Sequence, residues 1–199
     1  MHPPESRWNH SIHYLPVLLA ALPHGCERAL DVGCGEGTLT RELRRRVPHV
    51  TGIDRDPAVI ALAQTAGGAG QIEYVCADFM THAFEPASFD FVASVAALHH
   101  LNEALALARM AELLAPGGCL AVLGIPRTSL PRDLAREVAA GVVHRLIALR
   151  RGTWESPAPV LAPRRTYAEL RSLLAAALPE ARLRRHLLWR YSLTWTRPG

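Results

Sequence analysis

The segment Ala29-Leu30-Asp31-Val32-Gly33-Cys34-Gly35-Glu36-Gly37-Thr38-Leu39 constrains this chain more than any other, because an apolar run ends in alternate glycines and continues as a helical pattern. Even spacing of Gly33, Gly35 and Gly37 lets the backbone turn sharply and approach a small molecule where a β-carbon would intrude. The dinucleotide fingerprint needs its third glycine one residue later, where Thr38 stands. Glu36 inside the turn would also repel a pyrophosphate. The turn is built for a ligand, and the pattern argues against a dinucleotide.

Around it, short apolar runs alternate with helical periods. Strands are expected at 29–33, 50–53, 72–76, 89–95 and 119–125, and helices at 10–22, 37–46, 57–66 and 102–114. Such runs suit burial on both faces of a parallel sheet, and parallel neighbours need crossover helices, so the expectation is an α/β, doubly wound fold. Asp56-Pro57 reads as an N-cap with proline at the first helical position, Ala66–Gly70 as a flexible connection, and Pro116-Gly117-Gly118 as a break before the fifth strand. After Pro126 the alternation stops: a long amphipathic helix is expected over 131–150, a Pro-rich loop over 151–165, a helix over 166–177, and strands at 181–188 and 190–196. A tight connection between those two strands requires one of them to run against the rest.

Ligands of open α/β sheets bind beyond the carboxyl ends of the strands. Ile53-Asp54 puts a carboxylate there, suited to both hydroxyls of a ribose or to capping the helix at Pro57, for which Asp56 is better placed. Cys76-Ala77-Asp78-Phe79 offers an acceptor beside an aromatic face, which suits an adenine. Asp31 serves either a ligand ammonium or nearby backbone amides. At the end of the fourth strand, His99 and His100 offer imidazole bases with pKa values near neutrality, or else one of them packs under the next helix.

The charges are unevenly divided. All 22 basic residues are arginine; residues 127–199 hold 14 of them against 5 acids (+9), whereas residues 1–126 hold 8 against 13 (−5). Arginines spread over helices and a hairpin read as a solvated face, or as a surface for an acidic substrate or nucleic acid. The four cysteines are scattered, giving neither a disulfide framework nor a metal knuckle, and the adjacent histidines lack further ligands, so no metal is expected. No apolar run reaches the roughly eighteen residues of a membrane span, and the first residues do not form a basic-then-apolar leader; the expectation is a cytoplasmic protein with no membrane segment.

Leu30–Leu39, Gly52-Ile53-Asp54, Ala77-Asp78-Phe79 and Leu114-Ala115-Pro116-Gly117-Gly118, taken in order, resemble the successive motifs of the class I S-adenosylmethionine-dependent methyltransferases over residues 28–126. The resemblance implies a Rossmann-like sheet of seven strands in order 3-2-1-4-5-7-6, the seventh antiparallel. It implies S-adenosyl-L-methionine as cofactor. The methionine portion would lie over Gly33, Cys34, Gly35 and Gly37 with Asp31 near its amino group. Asp54 would take the ribose, and Asp78 with Phe79 the adenine, while Arg55 and Val95 would also border the cofactor. Asn9, His10, His13 and Tyr14 resemble the amino-terminal helix that closes over the cofactor in small members. The family's Asn-Pro-Pro-Tyr type motif, common where nitrogens of nucleic acid or protein are methylated, is missing at 94–101.

The chain is thus expected to be one methyltransferase domain over 1–199: an N-terminal helical cap (1–26), a cofactor-binding core (27–126), a substrate lid (127–165) and a C-terminal helix and strand pair (166–199). The implied acceptor is a small molecule methylated at oxygen, nitrogen or carbon, by a monomer or homodimer. His99 is the first choice for a base and His100 the second. Trp154, Tyr167, Trp189 and Tyr191 offer aromatic surface, although Trp189 and Tyr191 fit an alternating strand better than a substrate contact. An RNA or protein acceptor, and a catalytically silent cofactor-binding role, remain as alternatives.

Overall fold

The computed structural model describes residues 7–66, 71–157 and 161–199; most of the connection expected at Ala66–Gly70 therefore lies outside the described residues. The elements run α1 (His10–Leu19), β1 (Arg28–Val32), α2 (Thr38–Arg44), β2 (His49–Asp54), α3 (Pro57–Thr65), β3 (Ile72–Cys76), β4 (Phe89–Val95), a 3-10 turn (Leu98–His100), α4 (Glu103–Leu113), β5 (Leu114–Gly124), α5 (Leu134–Arg151), α6 (Tyr167–Ala177), β6 (Arg182–Arg185) and β7 (Tyr191–Thr196). The seven strands form one sheet in the order β3-β2-β1-β4-β5-β7-β6. β1 to β5 are mutually parallel, and β7 runs antiparallel to both β5 and β6.

Strand residues alternate between two apolar layers, as the two-residue side-chain period requires. Leu30, Val92, Leu120 and Val122 pack with α4 and α6 through Leu107, Met110, Leu170 and Leu174. Ala29, Ala93, Ala121 and Leu123 face the opposite way, against Leu15 and Leu18 of α1 and Leu39 and Leu43 of α2. The sheet is therefore covered on both faces, which explains why its strands read as nearly continuous apolar runs.

Caps define the helix starts. Asn9 Oδ1 accepts from Ile12 N at 2.8 Å, Asp56 Oδ1 from Ala58 N at 2.8 Å, and Asn102 Oδ1 from Leu105 N at 3.3 Å. Thr166 and Glu169 form a reciprocal capping box on α6.

Three expectations need correction. Pro116-Gly117-Gly118 does not precede β5 but lies inside it: the pairing jumps from Phe89–Leu114 to Phe91–Cys119, and the excursion is held by Gly117 N donating to Arg197 O (3.0 Å) and Arg197 N to Gly118 O (2.9 Å). The long helix begins at Leu134 rather than 131, because Asp133 turns back to accept from Ser129 N at 2.8 Å and to pair with Arg185 at 2.6 Å. The strand expected at 181–188 stops at Arg185. Residues 186–190 form a closed turn in which His186 N donates to Arg190 O at 2.8 Å and Trp189 adopts a φ of 50°.

Candidate active site

Gly33, Gly35 and Gly37 all adopt left-handed backbone, with φ of 71°, 53° and 78°. At Gly33 the requirement is also steric, since a β-carbon there would collide with the β-carbon of Ala97 in the loop after β4. The turn is pinned to β2: Gly33 N and Cys34 N both donate to Ile53 O, at 2.9 and 3.0 Å. Gly35 N donates to Asp54 Oδ2 at 2.9 Å, and Asp56 N to Asp54 Oδ1 at 3.1 Å. Each Asp54 oxygen keeps a second acceptor site, so the residue both shapes the loop and remains able to receive a ligand.

Beyond this loop lies a cleft of about 860 Å³ at the carboxyl ends of β1 to β5, the size and place expected for a small-ligand site. Asp31, Gly33, Cys34, Gly35, Asp54, Arg55, Asp78, Phe79, Val95, His99 and His100 all line it. One side is acidic. Asp31 is only 1% exposed and accepts from Thr40 Oγ1 at 2.7 Å; burial pushes its carboxyl up to about 7, with the Asp54 charge adding to the shift. Asp78 Oδ1 accepts from Met80 N at 2.8 Å. Phe79 is buried beneath Arg109, whose Nε donates to Phe79 O at 2.8 Å. Glu36 also lines the cleft, with Arg7 at 3.5 Å.

The opposite side carries imidazoles and a guanidinium. His99 is 3% exposed, and neither of its ring nitrogens has a hydrogen-bond partner of ordinary geometry among the described residues. Burial holds its pKa down to about 4, with His100 and Arg190 pushing the same way and the Leu161 backbone opposing. His100 is also lowered, first by burial and then by Arg55. His10 Nε2 lies 2.9 Å from His144 Nδ1 of α5, and burial, then Arg190, His144 and His13, bring its pKa to about 4. Both His10 and His99 are therefore neutral near pH 7.

A profile described as a methyltransferase domain matches residues 30–122. An uncharacterized methyltransferase of Mycobacterium bovis is 42% identical over 196 residues, covering 96% of this chain and 98% of that protein. The chain belongs to the class I methyltransferase family. A ubiquinone biosynthesis O-methyltransferase of Xylella fastidiosa is 38% identical over 140 residues, 67% of this methyltransferase and 55% of that one. The crystal structure of an S-adenosylmethionine-dependent methyltransferase from Mesorhizobium loti superposes with a TM-score of 0.66 at 21% identity, covering 92% of this chain and 97% of that one, and so shares its fold.

Three residues expected at the methyltransferase site lie elsewhere. Gly37 does not line the cleft; a β-carbon there would meet the Tyr74 ring, so its lack of a side chain serves the packing of α2 on β3. His13 is exposed, and Tyr14 stacks on His186 at 4.6 Å while its hydroxyl accepts from Leu188 N at 3.2 Å. The amino-terminal turn of α1 with its cap, Asn9–Ile12, and Leu15 one turn further on line the cleft instead.

Of the aromatics, Trp154 lines the cleft, tied by its backbone N–H to the Trp8 carbonyl at 2.8 Å and covered by the Arg7 guanidinium at 4.9 Å. Tyr191 is buried in the core, and Trp189 donates through Nε1 to Glu137 Oε2 at 2.7 Å. Sequence reasoning passed over Arg190, Ser11, Ile125 and Leu161, which also line the cleft. Only Arg190 carried a signal, as the single charge between two apolar stretches at the carboxyl end of the chain.

Proposed function

We propose that this chain transfers a methyl group from S-adenosyl-L-methionine to an oxygen, nitrogen or carbon of a small-molecule acceptor. The observation that carries the reading is the convergence of the Asp31, Asp54 and Asp78 carboxylates on one cleft beside a glycine turn. A cofactor bearing ammonium and sulfonium charges matches that donor set, whereas a pyrophosphate would meet Glu36 and three further acids. When bound, S-adenosyl-L-methionine supplies the electrophilic methyl group. The Mesorhizobium loti fold neighbour is named for the same cofactor.

In this reading the turn at Gly33, Cys34 and Gly35 and the Asp31 carboxylate hold the methionine portion. Asp54 and Arg55 hold the ribose, Asp78 and Phe79 the adenine, and Val95 borders the site. Asp31 is the residue most in need of a cation, since burial has raised its pKa to about 7. His99 is the base in this reading: it lines the cleft and is neutral near pH 7, but burial holds its pKa at about 4, which makes it a weaker base than the near-neutral imidazole expected from the sequence. His100, partly exposed and next to Arg55, assists at most in orientation. Charge neutralisation at sulfur lets positioning supply much of the rate, so the cleft walls rather than a strong base carry the chemistry.

A small acceptor is favoured over RNA or protein by the size of the cleft, about 860 Å³, which Asn9–Ile12 and Trp154 help to line. Several arginines of the basic half are also engaged: Arg185 with Asp133, Arg165 with Glu103, and Arg127 with Glu169. No helix among the described residues is long and apolar enough to cross a membrane; a cytoplasmic monomer or homodimer completes the proposal. Calorimetric titration with S-adenosylmethionine and S-adenosylhomocysteine tests it. Saturable binding that Asp54→Ala weakens supports the assignment, and no heat up to millimolar ligand ends it.

A further inference from the structure

Among the described residues, Arg190 is a charge without a counter-ion. It stands immediately before β7, and because β7 is antiparallel its first residue, Tyr191, lies opposite Gly124 at the carboxyl end of β5. This places Arg190 on the lining of the same cleft as the acidic strand ends, but on the far side of the sheet order from β2 and β3. Among the described residues, no carboxylate lies within ion-pair distance of it, whereas Arg7, Arg165 and Arg185 are each paired. Burial lowers even its pKa, to about 10. A guanidinium partly withdrawn from water with no carboxylate beside it carries a desolvation cost.

Its existing hydrogen bonds define what is left. Nε and Nη2 both donate to Ser11 Oγ, at 3.3 and 3.2 Å, and Nη1 donates to Trp189 O at 3.0 Å. A guanidinium has five N–H groups; these contacts use three and leave one on each terminal nitrogen. Two parallel N–H groups match the two oxygens of a carboxylate. Around them the cleft is lined by apolar and aromatic surface from Ile125, Leu161 and Trp154, and the neutral His10 and His99 both feel the Arg190 charge. Glu155, beside Trp154, also lines the cleft but is exposed.

We infer that the acceptor of this methyltransferase carries a carboxylate on an apolar body, with Arg190, held by Ser11, as its counter-ion. The inference rests on the methyltransferase reading above and names its substrate class. The cleft is then segregated by charge: the cationic cofactor lies against the acids of β1 to β3, and the anionic acceptor against Arg190. Opposite charges on the two ligands favour their simultaneous binding.

The test uses the whole chain saturated with S-adenosylhomocysteine, titrated with benzoate and with its neutral isostere benzamide. Benzoate is expected to bind about tenfold more tightly or better, the worth of a charge-assisted pair, and Arg190→Gln to abolish the difference. Equal affinities, or a benzoate preference that survives in Arg190→Gln, overturn the inference. Should that variant not fold, the Arg190 side-chain N–H resonance of the unmodified protein decides: it is expected to shift with benzoate and not with benzamide, and a common response overturns the assignment. Failure of S-adenosylhomocysteine to bind in the first step sinks the methyltransferase reading. Normal binding there with no anion preference sinks this inference alone.

Discussion

Asp54 and Gly35 are joined across two strands: the carboxylate that ends β2 accepts from the amide in the middle of the turn after β1, at 2.9 Å. The same carboxylate also accepts from Asp56 N at 3.1 Å. Asp54→Ala is therefore expected to loosen the loop and remove a ribose acceptor together, weakening S-adenosylhomocysteine binding by about 100-fold, the loss of one or two charge-assisted bonds. Isothermal titration measures it. An affinity within threefold of the parent protein would place the cofactor elsewhere.

Gly33 combines a φ of 71° with a backbone that packs on the Ala97 β-carbon. Gly33→Ala is expected to destabilise the fold by about 2 kcal/mol and to lower cofactor affinity, from both strain and collision. Adding Ala97→Gly removes only the collision, so the double variant recovers part of the loss. Chemical denaturation of the four proteins tests this; no recovery in the double variant contradicts the steric account.

Asp31 has a carboxyl raised to about 7 by burial. In the folded state it keeps a proton that the unfolded chain has already released, so stability falls as pH rises from about 4 to about 7 and then levels off. Asp31→Asn preserves the acceptor for Thr40 and removes the ionisation. It is expected to stabilise the ligand-free protein at pH 8 by about 4 kcal/mol and hardly at all at pH 4, while weakening cofactor binding. Thermal unfolding at the two pH values checks it, and an equal change at both would refute the assignment.

His99 has the opposite linkage. Its pKa is lowered to about 4, so the folded state resists protonation and loses stability as pH falls from about 6.5 through 4. His99→Phe fills the site with a ring that needs no hydrogen bond. It is expected to raise the melting temperature, most at acid pH, while cutting methyl transfer by at least about 100-fold and leaving S-adenosylhomocysteine binding intact. Transfer in a metabolite extract, followed by mass spectrometry, separates the two effects; undiminished transfer removes His99 from the chemistry.

Much of the site was legible because its residues are local to strand ends. The run from Ala29 to Leu39 carries strand, turn and helix signals within one short stretch, and Asp54 and Asp78 follow strands whose apolar runs mark their ends. Caps were equally readable: Asp56 accepts from Ala58 N as its place before Pro57 required. The placement of α1 along the cleft was not, since His13 and Tyr14 share a helical face with His10 and Ser11, and the cleft meets only the amino-terminal end of that helix and Leu15. Pro116-Gly117-Gly118 read as a boundary, yet cross-strand bonds to Arg197 hold it within β5.

By itself the sequence determined the doubly wound sheet, the glycine turn and the acidic strand ends, because hydrophobic period, proline and glycine act over a few neighbouring residues. Only the tertiary structure decided what faces them. The antiparallel return of β7 delivers Arg190 to the cleft, and the packing of α1 and of the segment around Trp154 completes its lining. Those contacts join parts of the chain more than a hundred residues apart, such as Ser11 and Arg190 at a separation of 179, and no local pattern records the partner of a side chain that distant.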